Sequence, residues 1–444
     1  MPEFRRFMPP LLGKSLVIGG LILLLLVPIA NVESLVNERV GMRREAADRV
    51  AASWGGAQTT AGVLLAIPVE NVSGYGHRSV AYVLPDTLNV RVMVEPGFRT
   101  VGLYRTPVYL ARVQVSGAFI SGDFAHLLEE KEGRTVHWDE ARLLVLNSEA
   151  RSLRAVEDFN VAGNVASAAA DGYAGYAGIS AVVPRAALRE GATIPFRVAM
   201  TLAGSNHLGF LPLARKADIK VDSTWQHPKF VGAPAPLSPK IDADGFVARW
   251  SVLEINRNFG QSWNDSQVRA GLPIDRAFSQ ASVGVTFYEP VDVYQRNYRA
   301  VHYAALLILI TFLSFFLWEN LSGSAIHAMQ YLMVGLALAL FYLLLLALSE
   351  HLAFDLAYGI SAAALVALIT LYLTGVLGRV KLALGAGAGL ATLYALLYWI
   401  LRSEDYSLLM GALLLFGVLA ILMTTTRRVD WSSVGRIRRA ADAE

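Results

Sequence analysis

Residues 330–348 read Gln330-Tyr331-Leu332-Met333-Val334-Gly335-Leu336-Ala337-Leu338-Ala339-Leu340-Phe341-Tyr342-Leu343-Leu344-Leu345-Leu346-Ala347-Leu348, 19 residues without a charge. A helix needs about 20 mostly apolar residues to cross the hydrocarbon core of a bilayer. Five more stretches meet that test: Ser15 to Val32, Ala300 to Trp318, Leu356 to Leu377, Leu382 to Leu401 and Tyr406 to Thr424. None carries an interior Asp, Glu, Lys or Arg. The chain averages +0.43 in mean hydropathy, high for a water-soluble domain. A net charge of only +3 argues against a nucleic-acid partner. The absence of cysteine excludes disulfides, thiolate metal sites and cysteine nucleophiles.

Positive charge sets the expected orientation. With the N-terminus inside, the inner flanks hold Arg5, Arg6, Lys14, Arg379, Lys381, Arg427, Arg428, Arg436, Arg438 and Arg439. The short outer loops hold Arg402 alone, among the acids Glu350, Asp355, Glu404 and Asp405. Six spans then leave both termini in the cytoplasm. The first span reads as an uncleaved anchor. A signal peptide is the alternative, against which stand its long apolar run and the poor cleavage site at Pro28-Ile29-Ala30. Tyr298, Tyr303, Trp318, Tyr331, Tyr358, Trp399 and Tyr406 fall near span ends, where amphipathic rings suit the interface.

The expected fold is thus a membrane α-helical bundle of six spans with a large all-β, sandwich-like periplasmic domain. Its parts are a cytoplasmic N-terminus (1–14), the first span (15–32), an amphipathic connecting helix (33–54), the β-rich domain (55–299), a five-span bundle (300–424) and a basic cytoplasmic tail (425–444). The connecting helix places Val32, Val36, Val40, Ala47, Val50, Ala51 and Trp54 at helical spacing. After Gly55-Gly56 the period becomes two. Strands are expected at Val63–Val69, Ser79–Leu84, Leu88–Val94, Val108–Phe119, Leu143–Leu146, Leu153–Phe159, Gly178–Val183, Pro195–Ala203, Ile219–Ser223, Phe246–Leu253 and Val283–Phe287. Pro85-Asp86, Glu95-Pro96-Gly97 and Asp244-Gly245 supply turn signals. The four prolines between His227 and Pro239 predict an extended loop.

Three stretches give the chain a resemblance to a known family. One is the run quoted above, continued by Ser349-Glu350-His351 and preceded by His327. Another is Glu38-Arg39, then Trp54-Gly55, Gln58 and Pro68. The third is Ser223-Thr224-Trp225, Pro228, Phe230, Gly232 and Pro236, then Gly245-Phe246, Ala248 and Trp250. In these the chain resembles the CreD family of bacterial inner-membrane proteins over nearly its whole length. Val63 and Ala328 stand where the family pattern commonly carries proline. The resemblance implies a role in cell-envelope integrity or envelope stress, and no reaction.

No motif for chemistry stands out. The histidines His77, His126, His137, His207 and His227 show no metal-ligand spacing, and no nucleophile elbow, P-loop or dinucleotide fingerprint occurs. No cofactor is expected. His327, Gln330 and Tyr331 share one helical face, while Glu350 and His351 lie at the other end of the same helix. Tyr331 and Glu350 are about 28 Å apart at helical rise, so they form two clusters and not one site. Glu350 and His351, next to Asp355, read either as a proton-responsive cluster or as an interfacial cap. Gly385 and Gly389 make a small-xxx-small face on which another helix could pack, in this chain or another.

The reading that follows is a non-enzymatic envelope protein. Its partners are the lipid bilayer and a periplasmic or membrane protein, lipid or glycan, and an oligomer is left open. The alternative is a membrane transport or insertion factor, since one anchor, an outer β domain and five spans is the YidC-type layout. The charge-free spans argue against that alternative, because such a factor uses a membrane-buried arginine. An enzyme built from scattered residues ranks last.

Overall fold

A computed structural model describes residues 10–71, 77–124, 134–269, 271, 273–287, 293–322, 326–403 and 407–427. The chain forms two compact units, Met1–Met42 with Val291–Glu444, and Arg43–Pro290.

Helix α1 (Pro10–Trp54) contributes to both units. It is one element of 45 residues, about 67 Å long, where the sequence suggested a span followed by a separate connecting helix. Pro28 lies inside it without ending it. Leu25, Ile29, Val32 and Val36 are buried at spacings of three and four, the stripe that a packed helix presents. Ala46 and Val50 continue the pattern in the second unit.

The Arg43–Pro290 unit is built on two sheets. The eight-stranded sheet comprises β3 (Thr87–Val101), β4 (Tyr104–Ile120), β7 (Leu153–Val161), β8 (Asn164–Val165), β11 (Thr193–Ser205), β13 (Lys216–Ser223), β15 (Lys240–Asp242) and β16 (Gly245–Leu253). Across that sheet the order is β15-β16-β13-β3-β4-β11-β7-β8. The ten-stranded sheet holds β1 (Gln58–Asn71), β2 (His77–Val83), β5 (Arg134–Val136), β6 (Arg142–Asn147), β9 (Ala169–Tyr173), β10 (Tyr176–Val182), β12 (His207–Phe210), β14 (Pro228–Val231), β17 (Ser262–Asn264) and β18 (Val283–Phe287). Its main path runs β14-β18-β12-β1-β6-β10-β9. Pairing is antiparallel except for β1 with β12 and β3 with β13, two parallel contacts that a purely antiparallel sandwich lacks.

The run Val63-Leu64-Leu65-Ala66-Ile67 explains the layering. Val63, Leu65 and Ile67 enter the core shared with Val90, Val113, Val198 and Ile219 of the other sheet. Leu64 and Ala66 point the opposite way, into a second cluster with Tyr82, Phe259, Trp263 and Phe278. A strand buried on both faces is continuously apolar although its side chains alternate. Two short helices absent from the sequence expectation, α2 (Asp265–Arg269) and α3 (Ile274–Ala281), belong to this region, and α3 supplies Ile274, Ala277 and Phe278 to the second cluster.

Two local expectations fail for one reason. Glu95-Pro96-Gly97 does not turn; it continues β3, where Pro96 pairs with Tyr109. The partner strand β13 ends opposite Val94, so Pro96 has one neighbour only. The proline-rich stretch is not all loop either, since Pro228–Val231 pairs with β18 at the sheet margin. Proline lacks a donor and is tolerated at such edges.

In the other unit, α4 (Val293–His302) and α5 (Ala304–Ser322) meet at a 40° bend around Tyr303. They precede α6 (Ala328–Ser349), α7 (Phe354–Leu377), α8 (Val380–Arg402) and α9 (Ser407–Thr426). Among the described residues, α1, α6, α7 and α8 are long and apolar enough to cross a membrane, and the bent pair makes a fifth. Within α9 the apolar helix Leu409–Ile421 is shorter. Helix α6 is the most enclosed. Gly335 sits so close to Leu25 and Phe312 that an added Cβ would lie 2.1 Å from Leu25 Cδ1. Gly378 ends α7 in the left-handed conformation that glycine adopts without strain.

Candidate functional site: polar clusters of the helical unit

At one end, α1, α5 and α6 converge on Glu319, which is 5% exposed. The Lys14 ammonium pairs with its carboxylate and also donates to the Ile326 carbonyl at 2.9 Å. Tyr331, fully buried, donates its hydroxyl to Glu319 Oε2 at 3.2 Å. The Phe312 ring packs edge-on against Tyr331, with centroids 5.4 Å apart. A buried carboxylate is tolerable because a cation and a hydroxyl satisfy it together. Of the three residues read from the sequence at this end, Tyr331 alone joins this cluster. His327 is the N-cap of α6: its Nδ1 accepts from the Met329 N–H at 3.2 Å, and Gln330 Oε1 accepts from the His327 N–H at 2.9 Å. His327 and Gln330 therefore close a capping box.

At the other end of α6, Glu350 and His351 diverge. Glu350 faces Arg39 of α1, Nε to Oε1 3.2 Å. His351 is exposed, and its backbone N–H bonds to the Leu348 carbonyl. Asp355 lies 3.8 Å from Arg296 Nη1. Two further bonds tie α4 to its neighbours: Asn297 Nδ2 donates to Ser349 Oγ at 2.8 Å, and Arg299 Nη2 to the Leu401 carbonyl at 2.8 Å.

Between these ends lies a layer of hydroxyls. Tyr342, Tyr358 and Tyr394 are buried around Phe341, with ring centroids 5.0, 5.5 and 4.6 Å from it. The Tyr358 hydroxyl donates to the Tyr394 carbonyl at 2.7 Å. Ser361 Oγ is buried nearby on α7 without a hydrogen-bond partner among the described residues.

The glycines of α8 divide in an unexpected way. Gly387 makes the close contact, since a Cβ there would lie 2.2 Å from Thr370 Oγ1. Gly385 and Gly389 face open space.

Sequence reasoning missed Glu319, one residue beyond the assigned end of its span, and took Lys14 only as a flanking charge. It also placed Tyr331 and Tyr358 at the interface, although both are buried. Tyr298 and Trp399 are exposed. Arg5, Arg6, His126, Glu404, Asp405, Tyr406, Arg428, Arg436, Arg438 and Arg439 lie outside the described residues.

In the β unit, ionisable groups hold strand ends together. Arg215 pairs with Asp86, Asp123 and Glu254. Burial pushes the Asp123 carboxyl up, against the pull of Arg215. Burial lowers Arg257 to about 10. His137 contacts Glu70 at 3.1 Å. His207 Nδ1 lies 3.3 Å from Thr286 Oγ1, and burial lowers its pKa. Among the described residues no group of three or more His, Asp or Glu is placed to hold a metal ion. Trp54, at the end of α1, donates to the Tyr109 carbonyl at 3.3 Å and lies under the Arg99 guanidinium, 4.2 Å from the ring centroid.

These features define a membrane protein with several apolar helices and a large two-sheet unit between the first and second of them. A family model described as "Inner membrane protein CreD" matches residues 10–432. The chain is similar to Inner membrane protein CreD of Escherichia coli (strain K12), 31% identical over 450 residues that cover 98% of this chain and 97% of that protein. The chain belongs to the CreD family.

Proposed function

We propose that this inner-membrane protein crosses the membrane six times, with both termini in the cytoplasm and the β unit in the periplasm. In this reading it supports envelope integrity without catalysis, by binding a periplasmic or membrane partner through the β unit. One observation carries the choice of surface. The β15/β16 margin of the eight-stranded sheet leaves Leu237, Ile241, Leu253 and Ile255 48–88% exposed. Strand β15 pairs only with Gly245 to Val247, and beyond it Leu237 bonds once to Arg249. Among the described residues the far end of β16 is therefore open. An open strand edge beside exposed aliphatic side chains is a surface that another chain can cover.

Two experiments test this. Single cysteines in place of Asp244 and Ser433 of this cysteine-free chain label oppositely with an impermeant thiol reagent in spheroplasts. Labelling at position 433 and not at 244 overturns the topology. A photo-crosslinker at Ile255 should trap a defined envelope component, and Leu253→Lys should abolish that product while membrane insertion is kept. Identical crosslinking from Val165, which is 84% exposed on the opposite edge strand β8, overturns the choice of surface.

A further inference from the structure

Helices α5, α8 and α9, with the end of α7, border a half-open apolar cavity of about 1090 Å³. Gly385 and Gly389 of α8 and Gly417 of α9 form part of its wall. Lys381 and Trp318 line one end, Trp399 and Met410 the other. From Lys381 to Trp399 a helix rises about 27 Å, close to the thickness of a bilayer core. The lining is apolar along this length, which suits flexible hydrocarbon chains.

Charge decides the rest of the ligand. Among the described residues Lys381 is the only ionisable group in the lining. Arg379, the N-cap of α8, lies two residues away and is also exposed. Among the described residues neither cation has a carboxylate partner. The nearby Glu319 is already matched by Lys14. Among the described residues the cavity mouth therefore carries positive charge without an acidic partner, above an apolar shaft. Basic pockets between membrane helices suit anionic lipid head groups.

We infer that this cavity holds the acyl chains of an anionic membrane phospholipid whose phosphate is met by Lys381 and Arg379. The inference rests on the membrane reading of the helical unit and not on the partner assigned to the β unit. Gly385 and Gly389 then keep the wall clear for lipid chains.

The test uses the full chain, purified and exchanged into nanodiscs of phosphatidylcholine containing phosphatidylglycerol. Lipid retained after mild release is counted by native mass spectrometry. The wild-type protein should keep phosphatidylglycerol in preference to phosphatidylcholine. Arg379→Ala with Lys381→Ala should cut that preference by roughly 30-fold, the effect of two interfacial cations. Gly389→Leu with Gly417→Leu fills the shaft and should reduce retention of both lipids. Thermal unfolding of each variant identifies any that fail to fold, and Gly389→Ala with Gly417→Ala then serves as the milder filling pair. Equal retention of the two lipids by the wild type, or unchanged preference in the charge variant, overturns the inference. So does efficient disulfide pairing of two Gly389→Cys chains, which would place a second copy at this face. Loss of the Ile255 crosslink with lipid retention intact is a failure of the partner reading alone.

Discussion

The Lys14–Glu319 pair allows a quantitative test of the helical unit. Glu319 is the more buried partner, with 6% of its side chain exposed against 25% for Lys14. Removing one partner of a fully buried pair costs about 3–5 kcal/mol. Partial exposure of Lys14 and its second bond, to Ile326, reduce this to about 1–3 kcal/mol for Glu319→Leu. The lost Tyr331 bond adds about 0.6 kcal/mol, a typical interhelical value in membranes. The expected total is about 1.6–3.6 kcal/mol, or about 15- to 450-fold in the unfolding equilibrium. Lys14→Met should cost more, because it strands the less exposed charge. The double variant Lys14→Met/Glu319→Leu should recover most of the loss. The assay is reversible unfolding in mixed micelles by titrated dodecyl sulfate, followed by tryptophan fluorescence. Single costs below about 0.5 kcal/mol, or additive costs in the double variant, would refute the view that the pair closes this end of the helices.

Other outcomes follow from named contacts. Gly387→Ala should destabilise by about 1–3 kcal/mol through overpacking on Thr370, whereas Gly385→Ala should be neutral or stabilise by up to about 1 kcal/mol; the same titration separates them. His207 has a depressed folded pKa, so its contribution to stability is present above its unfolded value of about 6.5 and is lost as pH falls towards the folded value. His207→Gln should remove that part of the acid-side decline in thermal unfolding between about pH 7 and 5, and an unchanged slope refutes the assignment. Trp54→Ala should cost about 1–3 kcal/mol through the lost Tyr109 bond and Arg99 stacking, with faster hydrogen exchange at Tyr109 and its neighbours as the readout.

Sequence pattern located the β architecture well, for a physical reason. Each expected strand overlaps a strand, because alternation reports one buried face directly and the continuous runs at Val63–Val69 and Leu143–Leu146 report burial on both faces. What escaped were features set by neighbours far away in the chain. Pro96 reads locally as a turn, and only the end of β13 at Ser223 makes it an edge residue. Glu319 reads as a polar residue past the end of a span, and only Lys14, 305 positions away, makes it a buried partner. Tyr331 and Tyr358 have the placement of interfacial aromatics, but burial depends on which helix face meets Phe312 or Phe341. Gly385 and Gly389 carry the packing motif, yet Gly387 makes the contact because Thr370 stands opposite it.

The parallel pairing of β1 with β12 has one more consequence. Gln58 sits beside Leu208, and Leu208 beside Val285. Residues 58 and 285 are therefore two strands apart, roughly 10 Å, although more than half the chain separates them. The β unit enters and leaves through adjacent points, in the manner of a domain inserted into a loop. Its central sheet also cannot close until β18 has been synthesised, so translation of nearly the whole insertion must precede its folding.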